Sequence, residues 1–187
     1  TTWGDLERYV RFAASLGWFR KIQIQTNGRR LADRRYVEGL VAAGVNEFFV
    51  SIHGRGDVHD AATRTAGSFR ETWTGLRNLA GFDLNVITNT VLTRQNAADV
   101  PRLLALLGRE RIGEMHVWNY FPMEGADSKD LIVSLADLHA LLPAMLDAAA
   151  AAGKPLVLKS FPLCLAVPPP GVLDSFFPVT VLPEPFW

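Results

Sequence analysis

Five short apolar segments alternate with helical segments along most of the chain, and this alternation limits the fold more than any other feature. The short segments are rich in β-branched and aromatic residues, and the segments between them repeat their apolar residues with helical spacing. Strands separated by helices favour a parallel sheet with right-handed helical crossovers, so the chain is predicted to be an α/β protein. The predicted strands are KIQIQTNG, NEFFVSI, LNVITNTVL, EMHVWNYF and PLVLKSF.

The predicted strands carry polar residues on one face. In the first strand, Ile24 alternates with Gln23 and Gln25. A parallel sheet covered by helices on both sides is apolar on both faces, so this pattern predicts helices on the outer face only and a polar cavity on the other. An open barrel has this form, with its function at the carboxyl ends of the strands. Polar core residues that satisfy one another are the alternative. On the next strands the polar face carries Ser51, His53, Asn85 and Asn89.

Capping signals set the helix boundaries. Gly44 predicts the end of the helix DRRYVEGLVAAG. Ser68 and Glu71 have the spacing of a capping box, which predicts that a helix begins there after a loop. Ser134 and Asp137 open another helix in the same way.

Composition excludes several functional classes. The 187 residues include 19 basic and 19 acidic side chains, so charge indicates neither a nucleic-acid nor a membrane surface. We find no apolar run of about 18 residues, and therefore expect no membrane span. The first residues, TTWGDLERYV, do not resemble a signal peptide, and a single cysteine excludes an internal disulfide framework. These features predict a cytoplasmic protein.

The character of the chain changes near residue 162. Seven of the 11 prolines follow Phe161, which excludes regular helix or a central strand there. We therefore divide the chain into a βα domain, residues 1–161, and a proline-rich tail, residues 162–187. The tail's phenylalanines and leucines favour an extended segment that covers apolar surface over a solvated linker.

Several motifs resemble the radical S-adenosylmethionine superfamily. They are IQTNGRRL, VSIHG, HDAATRTAGSFRETWTGLRNL, NTVLTRQNAADVPRLLALL and FPMEG, and the similarity runs from about Thr1 to Cys164. Order and spacing carry the resemblance, since no single motif is decisive. The resemblance implies an open, TIM-like barrel of βα units. It also implies two cofactors, S-adenosylmethionine and a [4Fe–4S] cluster that cleaves it to a radical which abstracts a substrate hydrogen.

The chain departs from the family in the segments that hold the cluster and the methionine amine of S-adenosylmethionine. Family members carry C-x-x-x-C-x-x-C after their first strand and Gly-Gly-Glu-Pro after their second, and neither motif is present. The family's second motif is often followed by threonine, as in the opening TTW, so we expect that the chain begins just after it. Because the cluster is held by thiolates and Cys164 is the only cysteine, we do not expect a cluster in this chain alone.

The resemblance assigns cofactor contacts to strand ends. Ser51 matches a position that contacts the ribose or methionine part of S-adenosylmethionine, and Asn89 matches one that often contacts the ribose. Their alternatives are a strand serine bonded to backbone and a buried, satisfied amide. Asn27, in TNG, is a further candidate whose alternative is turn formation. Tyr120 and Phe121 fall in the region that contacts adenine, and core packing is their alternative.

The segment after Ser51 holds further candidates. His53 shares the face of Ser51 and is a candidate proton carrier or ligand contact, although a lone histidine is more often structural. Asp60 is predicted to bind backbone amides of its own loop. Arg64 is a candidate for binding a carboxylate. Some family members use an arginine for this purpose, but Thr63 is the closer match to its position. Cys164 is interpreted as a small buried side chain. His116 and His139 have no convergent partners, so no metal site is predicted.

Two functional classes stay open. The first is the carboxyl-terminal portion of a radical S-adenosylmethionine enzyme core, acting on a small-molecule or peptide substrate and inactive without its cluster ligands. The second is a non-catalytic binding or scaffold half-barrel that has lost the cluster. An aldolase-like barrel is disfavoured because no strand carries a lysine suited to a Schiff base. We also expect the first strand to be an exposed edge, through which copies of the chain can associate.

Overall fold

The computed structural model describes residues 4–122, 128–162 and 165, and its five strands form one parallel sheet. The strand order follows the chain, so each strand lies beside its neighbour in sequence. The predicted parallel α/β architecture is therefore confirmed. The strands are β1 (Gln23–Thr26), β2 (Glu47–Ser51), β3 (Asn85–Leu92), β4 (Glu114–Asn119) and β5 (Leu156–Lys159).

Helices precede the sheet and connect its strands. Asp33 caps the second helix by accepting from the Arg35 N–H, and Gly44 ends it in the left-handed conformation, as predicted. Ser134 accepts from the Asp137 N–H and opens the last helix, also as predicted. The helices are α1 (Leu6–Ser15), α2 (Arg34–Ala43), α3 (Asp57–Thr63), α4 (Ser68–Leu79), α5 (Val100–Leu107) and α6 (Leu135–Ala152), with short 3₁₀ helices at Arg29–Ala32, Ala97–Asp99 and Lys129–Leu131.

The hydrophobic core lies on one face of the sheet. Every buried apolar residue of the described helices belongs to one cluster with alternate strand residues such as Phe48, Val86 and Val117. The opposite face, which we call the inner face, takes the intervening residues. It is mostly polar, as the sequence predicts. Its members include Gln23, Gln25, Phe49, Ser51, Ile87, Asn89, Glu114, His116 and Trp118.

Helix α6 is long and apolar enough to cross a membrane, judged by length and composition alone. This differs from the expectation that the chain has no such segment. A single helix of this kind is weak evidence for a span, because core helices of other proteins meet the same criterion. In this structure Leu138, Leu142, Met145 and Ala149 of α6 are buried in the shared apolar cluster.

The segment between β2 and α4 differs from the prediction in two respects. It contains the helix α3, where only a loop is predicted. The capping box of Ser68 and Glu71 is also wrong, because α4 begins at Ser68 and Glu71 is paired with Arg29 instead. The helix start is bound by the Asp60 carboxylate, as described below.

Helix α4 packs very closely against the turn that follows β1. The Thr72 hydroxyl donates to the Asn27 carbonyl at 2.8 Å, and the Asn78 amide donates to the Leu31 carbonyl at the same distance. Between them, Gly75 leaves no room for a side chain, since a Cβ there would lie 2.5 Å from the Gly28 carbonyl oxygen. Positions three residues apart on one helix face thus hold the β1 turn in place.

We therefore predict that Gly75→Ala destabilises the protein by about 1–3 kcal/mol, because the added methyl group forces the Gly28 backbone away from α4. Helix propensity alone predicts the opposite effect of Gly75→Ala, an increase of up to about 1 kcal/mol in the free energy of unfolding. Urea denaturation measures the free energy of unfolding and distinguishes the two effects.

Gly81→Ala, two residues beyond the end of α4, is the control for adding a methyl group without a close contact. A Cβ at Gly81 would have its nearest contact at 3.5 Å, an ordinary van der Waals distance. The control should change the free energy of unfolding by no more than about 0.5 kcal/mol. Equal effects of the two substitutions would contradict the close packing of α4 on the β1 turn.

Candidate functional site

Strand register brings the main sequence candidates together at the carboxyl ends of the strands. Ser51 on β2 is paired with Asn89 on β3, and Asn89 is paired with His116 on β4. Side chains paired across parallel strands point to the same face, so these three lie side by side on the inner face. The next row toward the carboxyl end contains Val91, Trp118 and Lys159.

At the amino ends of the strands, the polar groups of the inner face satisfy one another. The buried carboxylate of Glu47 accepts hydrogen bonds from Lys21, Gln23 and Asn85. Burial alone would raise the pKa of Glu47, but these three hydrogen bonds outweigh it and hold the pKa below its ordinary value. This end of the face is therefore a closed polar network.

At the carboxyl end, by contrast, buried polar atoms lack partners. Asn89 is 5% exposed, and its Oδ1 accepts no hydrogen bond from any described residue. The indole Nε1–H of Trp118 likewise donates to no described residue. Thr88 Oγ1 and Asn119 Oδ1 are also unpartnered, but strand alternation assigns them to the face that carries the helices. Unpartnered buried polar atoms are rare in native proteins, and they indicate where a ligand or water binds.

Aromatic rings lie in contact with one another on the same face. The ring centroid of Phe49 lies 5.3 Å from that of His116, in an edge-on arrangement, and 5.8 Å from that of Trp118. The Lys159 ammonium lies 4.2 Å from the centroid of the Trp118 ring. His116 Nε2 is 3.0 Å from the Glu114 carboxylate. The carboxyl end of the inner face thus combines aromatic surface with the Lys159 ammonium.

His53 and His59 form a stacked pair just beyond β2. The Nδ1 of His53 accepts from the Val91 N–H, and the Nδ1 of His59 accepts from the His53 N–H. Burial lowers the pKa of both rings, and for His59 the neighbouring His53 adds to this and brings the pKa to about 4. Both rings are therefore neutral near pH 7, and their hydrogen bonds to the backbone favour the structural interpretation of His53.

Asp60 holds the start of α4. Its carboxylate accepts from the Gly67 N–H at 2.6 Å, the Phe69 N–H at 2.7 Å and the Ser68 hydroxyl at 2.9 Å. The bond from Phe69, together with those from Gly67 and Ser68, lowers the pKa of Asp60 although burial opposes it. The prediction that Asp60 binds nearby backbone amides is confirmed.

Two polar side chains tie the loops above the strand ends to each other. The Asp99 carboxylate accepts from the backbone N–H and the guanidinium of Arg55. The Asn96 amide donates to the carbonyls of His53 and Val91, and its oxygen accepts from the Thr93 N–H. The loop after β2 is thus bound to the loop after β3.

The remaining candidates lie outside the strands. The exposed Asn27 accepts from the Arg29 N–H, which fits turn formation. Arg64 is exposed and ends α3 in the left-handed conformation, with a φ of 52°. Tyr120 donates its N–H to the Leu92 carbonyl, and Phe121 is 40% exposed. Cys164 and most of the proline-rich tail lie outside the described residues.

Sequence reasoning missed the part of the site on β4 and β5. His116, Trp118 and Lys159 reach the inner face because β5 pairs with β4 in a register that sets Lys159 beside Trp118. The signal was the alternation of Glu114, His116 and Trp118 in EMHVWN, which is the same polar periodicity seen on β1.

The residues present do not fit an iron–sulfur cluster. The whole chain has one cysteine, whereas such clusters are held by several thiolates. Within the described ranges, no three or more His, Cys, Asp or Glu side chains are grouped so that they could hold a metal ion.

No known protein-family model matches the chain. A curated protein, the AdoMet-dependent heme synthase of Methanosarcina barkeri (strain Fusaro / DSM 804), is 29% identical to it over 139 residues. The match covers 74% of this chain and 39% of that protein, so the chain spans well under half of its relative's length. This distant similarity supports the resemblance to the radical S-adenosylmethionine superfamily.

We predict that His59 makes folding stability depend on pH. The pKa of His59 is about 4 in the folded chain and about 6.5 when unfolded, so the unfolded state binds the proton more tightly. The stability contributed by the neutral ring is complete above pH 6.5 and is lost as the pH falls toward 4. The free energy of unfolding should fall by up to about 1.4 kcal/mol per pH unit in this range.

His59→Asn tests this prediction, since the asparagine oxygen can accept from the His53 N–H but does not titrate. Urea denaturation between pH 4 and 7 should show a smaller slope for this variant. His139→Asn, at an exposed position on α6, is the control and should keep the slope of the unchanged protein. A slope that His59→Asn leaves intact would contradict the assignment.

Proposed function

We propose that the chain is part of the core of a radical S-adenosylmethionine enzyme, and that its inner face binds S-adenosylmethionine. In this proposal the parallel sheet is one segment of an open, TIM-like barrel whose helices lie outside. The similarity to an AdoMet-dependent heme synthase supports the superfamily. The observation that carries the binding site is Asn89 Oδ1, which is buried, faces the inner side and has no partner among the described residues.

Ribose is the part of S-adenosylmethionine that suits this position. Asn89 Oδ1 is an acceptor, and a ribose hydroxyl is a donor that can satisfy it. Ser51 is paired with Asn89 across β2 and β3, so its hydroxyl can bind the neighbouring ribose oxygen. We further propose that Tyr120 and Phe121, which follow β4, contact the adenine ring. His53 supports this site by fixing the strand ends through the Val91 N–H.

Within this chain, the residues of the inner face bind and orient the cofactor. The chemistry that S-adenosylmethionine would supply there is a sulfonium group able to accept an electron. The chain's single cysteine does not fit the cluster that would supply this electron. The cluster ligands therefore have to come from residues other than those of this chain, and the substrate's identity is not fixed by the cofactor site.

The single cysteine also favours a second candidate, a half-barrel that binds a ligand or partner without radical chemistry. In that case Asn89 has a packing role, and S-adenosylmethionine has no particular affinity for the inner face. Direct binding measurements therefore separate the two candidates without any need for catalysis.

We predict that Asn89→Ala weakens the binding of S-adenosylmethionine by about threefold to tenfold. The loss corresponds to one hydrogen bond with a net value of roughly 0.5–1.5 kcal/mol. Isothermal titration of S-adenosylmethionine into the chain measures the affinity, and Ser51→Ala provides a second, smaller truncation of the same site.

Asn85→Ala is the matched control. It removes the same side chain from the same face of β3, but at the amino end, where Asn85 donates to Glu47. This control should leave S-adenosylmethionine affinity unchanged, provided that thermal melting shows both variants folded. If the unchanged chain binds no S-adenosylmethionine, or if Asn89→Ala and Asn85→Ala have equal effects, the proposed site is wrong.

A further inference from the structure

Beyond the ribose contacts, the inner face has a second set of ligand-directed groups at the ends of β4 and β5. The Trp118 Nε1–H is buried and donates to no acceptor in the described part of the chain. An indole nitrogen can only donate, so the missing partner must be an acceptor. Trp118 lies two residues beyond His116, which is itself paired with Asn89, so the backbones of Trp118 and Asn89 are roughly 8 Å apart.

The charge beside this indole is positive and unneutralised by the described residues. The Lys159 ammonium lies 4.2 Å from the centroid of the Trp118 ring, and Lys159 is exposed and takes part in no ion pair found in residues 4–122 or 128–162. The acids of the inner face are engaged elsewhere, because Glu47 binds Lys21 and Glu114 binds His116. Glu114 begins β4, about 13 Å along the strand from Trp118.

These donors match a carboxylate better than a phosphate. The indole N–H and the ammonium can each donate to one of the two oxygens of a carboxylate. The single positive charge of the ammonium matches the single negative charge of that group. Phosphate sites in proteins ordinarily use an arginine fork or several backbone N–H groups. The Phe49 ring meets the rings of His116 and Trp118 at 89° and 47°, so the three form an angled aromatic surface next to these donors, which suits an aromatic or other hydrophobic body attached to the acid.

We propose that Trp118 and Lys159 form a carboxylate-binding subsite for the substrate, an aromatic or otherwise apolar carboxylic acid that lies beside the S-adenosylmethionine site. The subsite rests on the proposed function for its role in the reaction, because its substrate would react with the neighbouring cofactor. Its affinity for a carboxylate depends only on the two side chains and the aromatic surface.

Benzoate is the probe, and benzamide is its neutral counterpart of the same shape. The measurement is the indole N–H resonance of Trp118 in a proton–nitrogen correlation spectrum of the labelled chain, assigned by its disappearance in Trp118→Phe. Benzoate should shift this resonance in a saturable manner. Benzamide should shift it much less, because it lacks the charge that Lys159 attracts.

Lys159→Met should weaken benzoate binding by about tenfold or more, as expected for the loss of a charge-assisted hydrogen bond, and Lys159→Arg should restore most of it. Lys154→Met is the control, since the Lys154 ammonium donates to the Ile112 carbonyl at the opposite end of β5. Lys154→Met should keep the affinity of the unchanged chain.

Three results would overturn the subsite: no benzoate shift at the Trp118 resonance, equal shifts with benzamide, or no loss of affinity in Lys159→Met. The two proposals fail separately. If the chain binds S-adenosylmethionine but shows no benzoate response, only the proposed carboxylate subsite is wrong. If the chain binds benzoate but not S-adenosylmethionine, the carboxylate site is supported and the proposed cofactor is wrong.

Discussion

The helices in the described part of this chain cover only one face of its parallel sheet, and this single condition determines the character of the other face. Each strand alternates between an apolar side that joins the helices and an inner side that does not. Polar residues on the inner side then need partners. At the amino ends they find them in one another, around Glu47, whereas at the carboxyl ends Asn89 and Trp118 present atoms that no described residue satisfies. The difference between the two ends is the strongest structural indication of where a ligand binds.

The overall architecture could be predicted because it depends on local patterns. Alternation in KIQIQT assigns Gln23 and Gln25 to one face regardless of what surrounds them, and strand–helix alternation implies parallel pairing. Ser51 and Asn89 could be placed together for the same reason, since Ser51 ends β2 and Asn89 lies in the carboxyl-terminal half of β3, both on the polar face. Their roles toward a ligand remain predictions.

Features that depend on contacts between distant residues could not be predicted in this way. The capping-box interpretation failed because the Asp60 carboxylate, from the preceding helix, binds the amides at the start of α4. Glu71 is then free to pair with Arg29, which is 42 residues away in the sequence. Likewise, neither EMHVWN nor PLVLKS indicates that Lys159 lies over Trp118, because that contact exists only in the observed register of β4 and β5.

The ties between the loops above the strand ends have a consequence for the speed of ligand exchange. Asp99 binds both the backbone and the side chain of Arg55, and Asn96 binds His53, Val91 and Thr93 at once. A loop held by this many bonds to its neighbour cannot act as an opening lid without breaking several of them together. We therefore expect these two loops to keep one arrangement with and without ligand. Association at this part of the site would then be limited by diffusion and desolvation, not by a gating motion of these two loops.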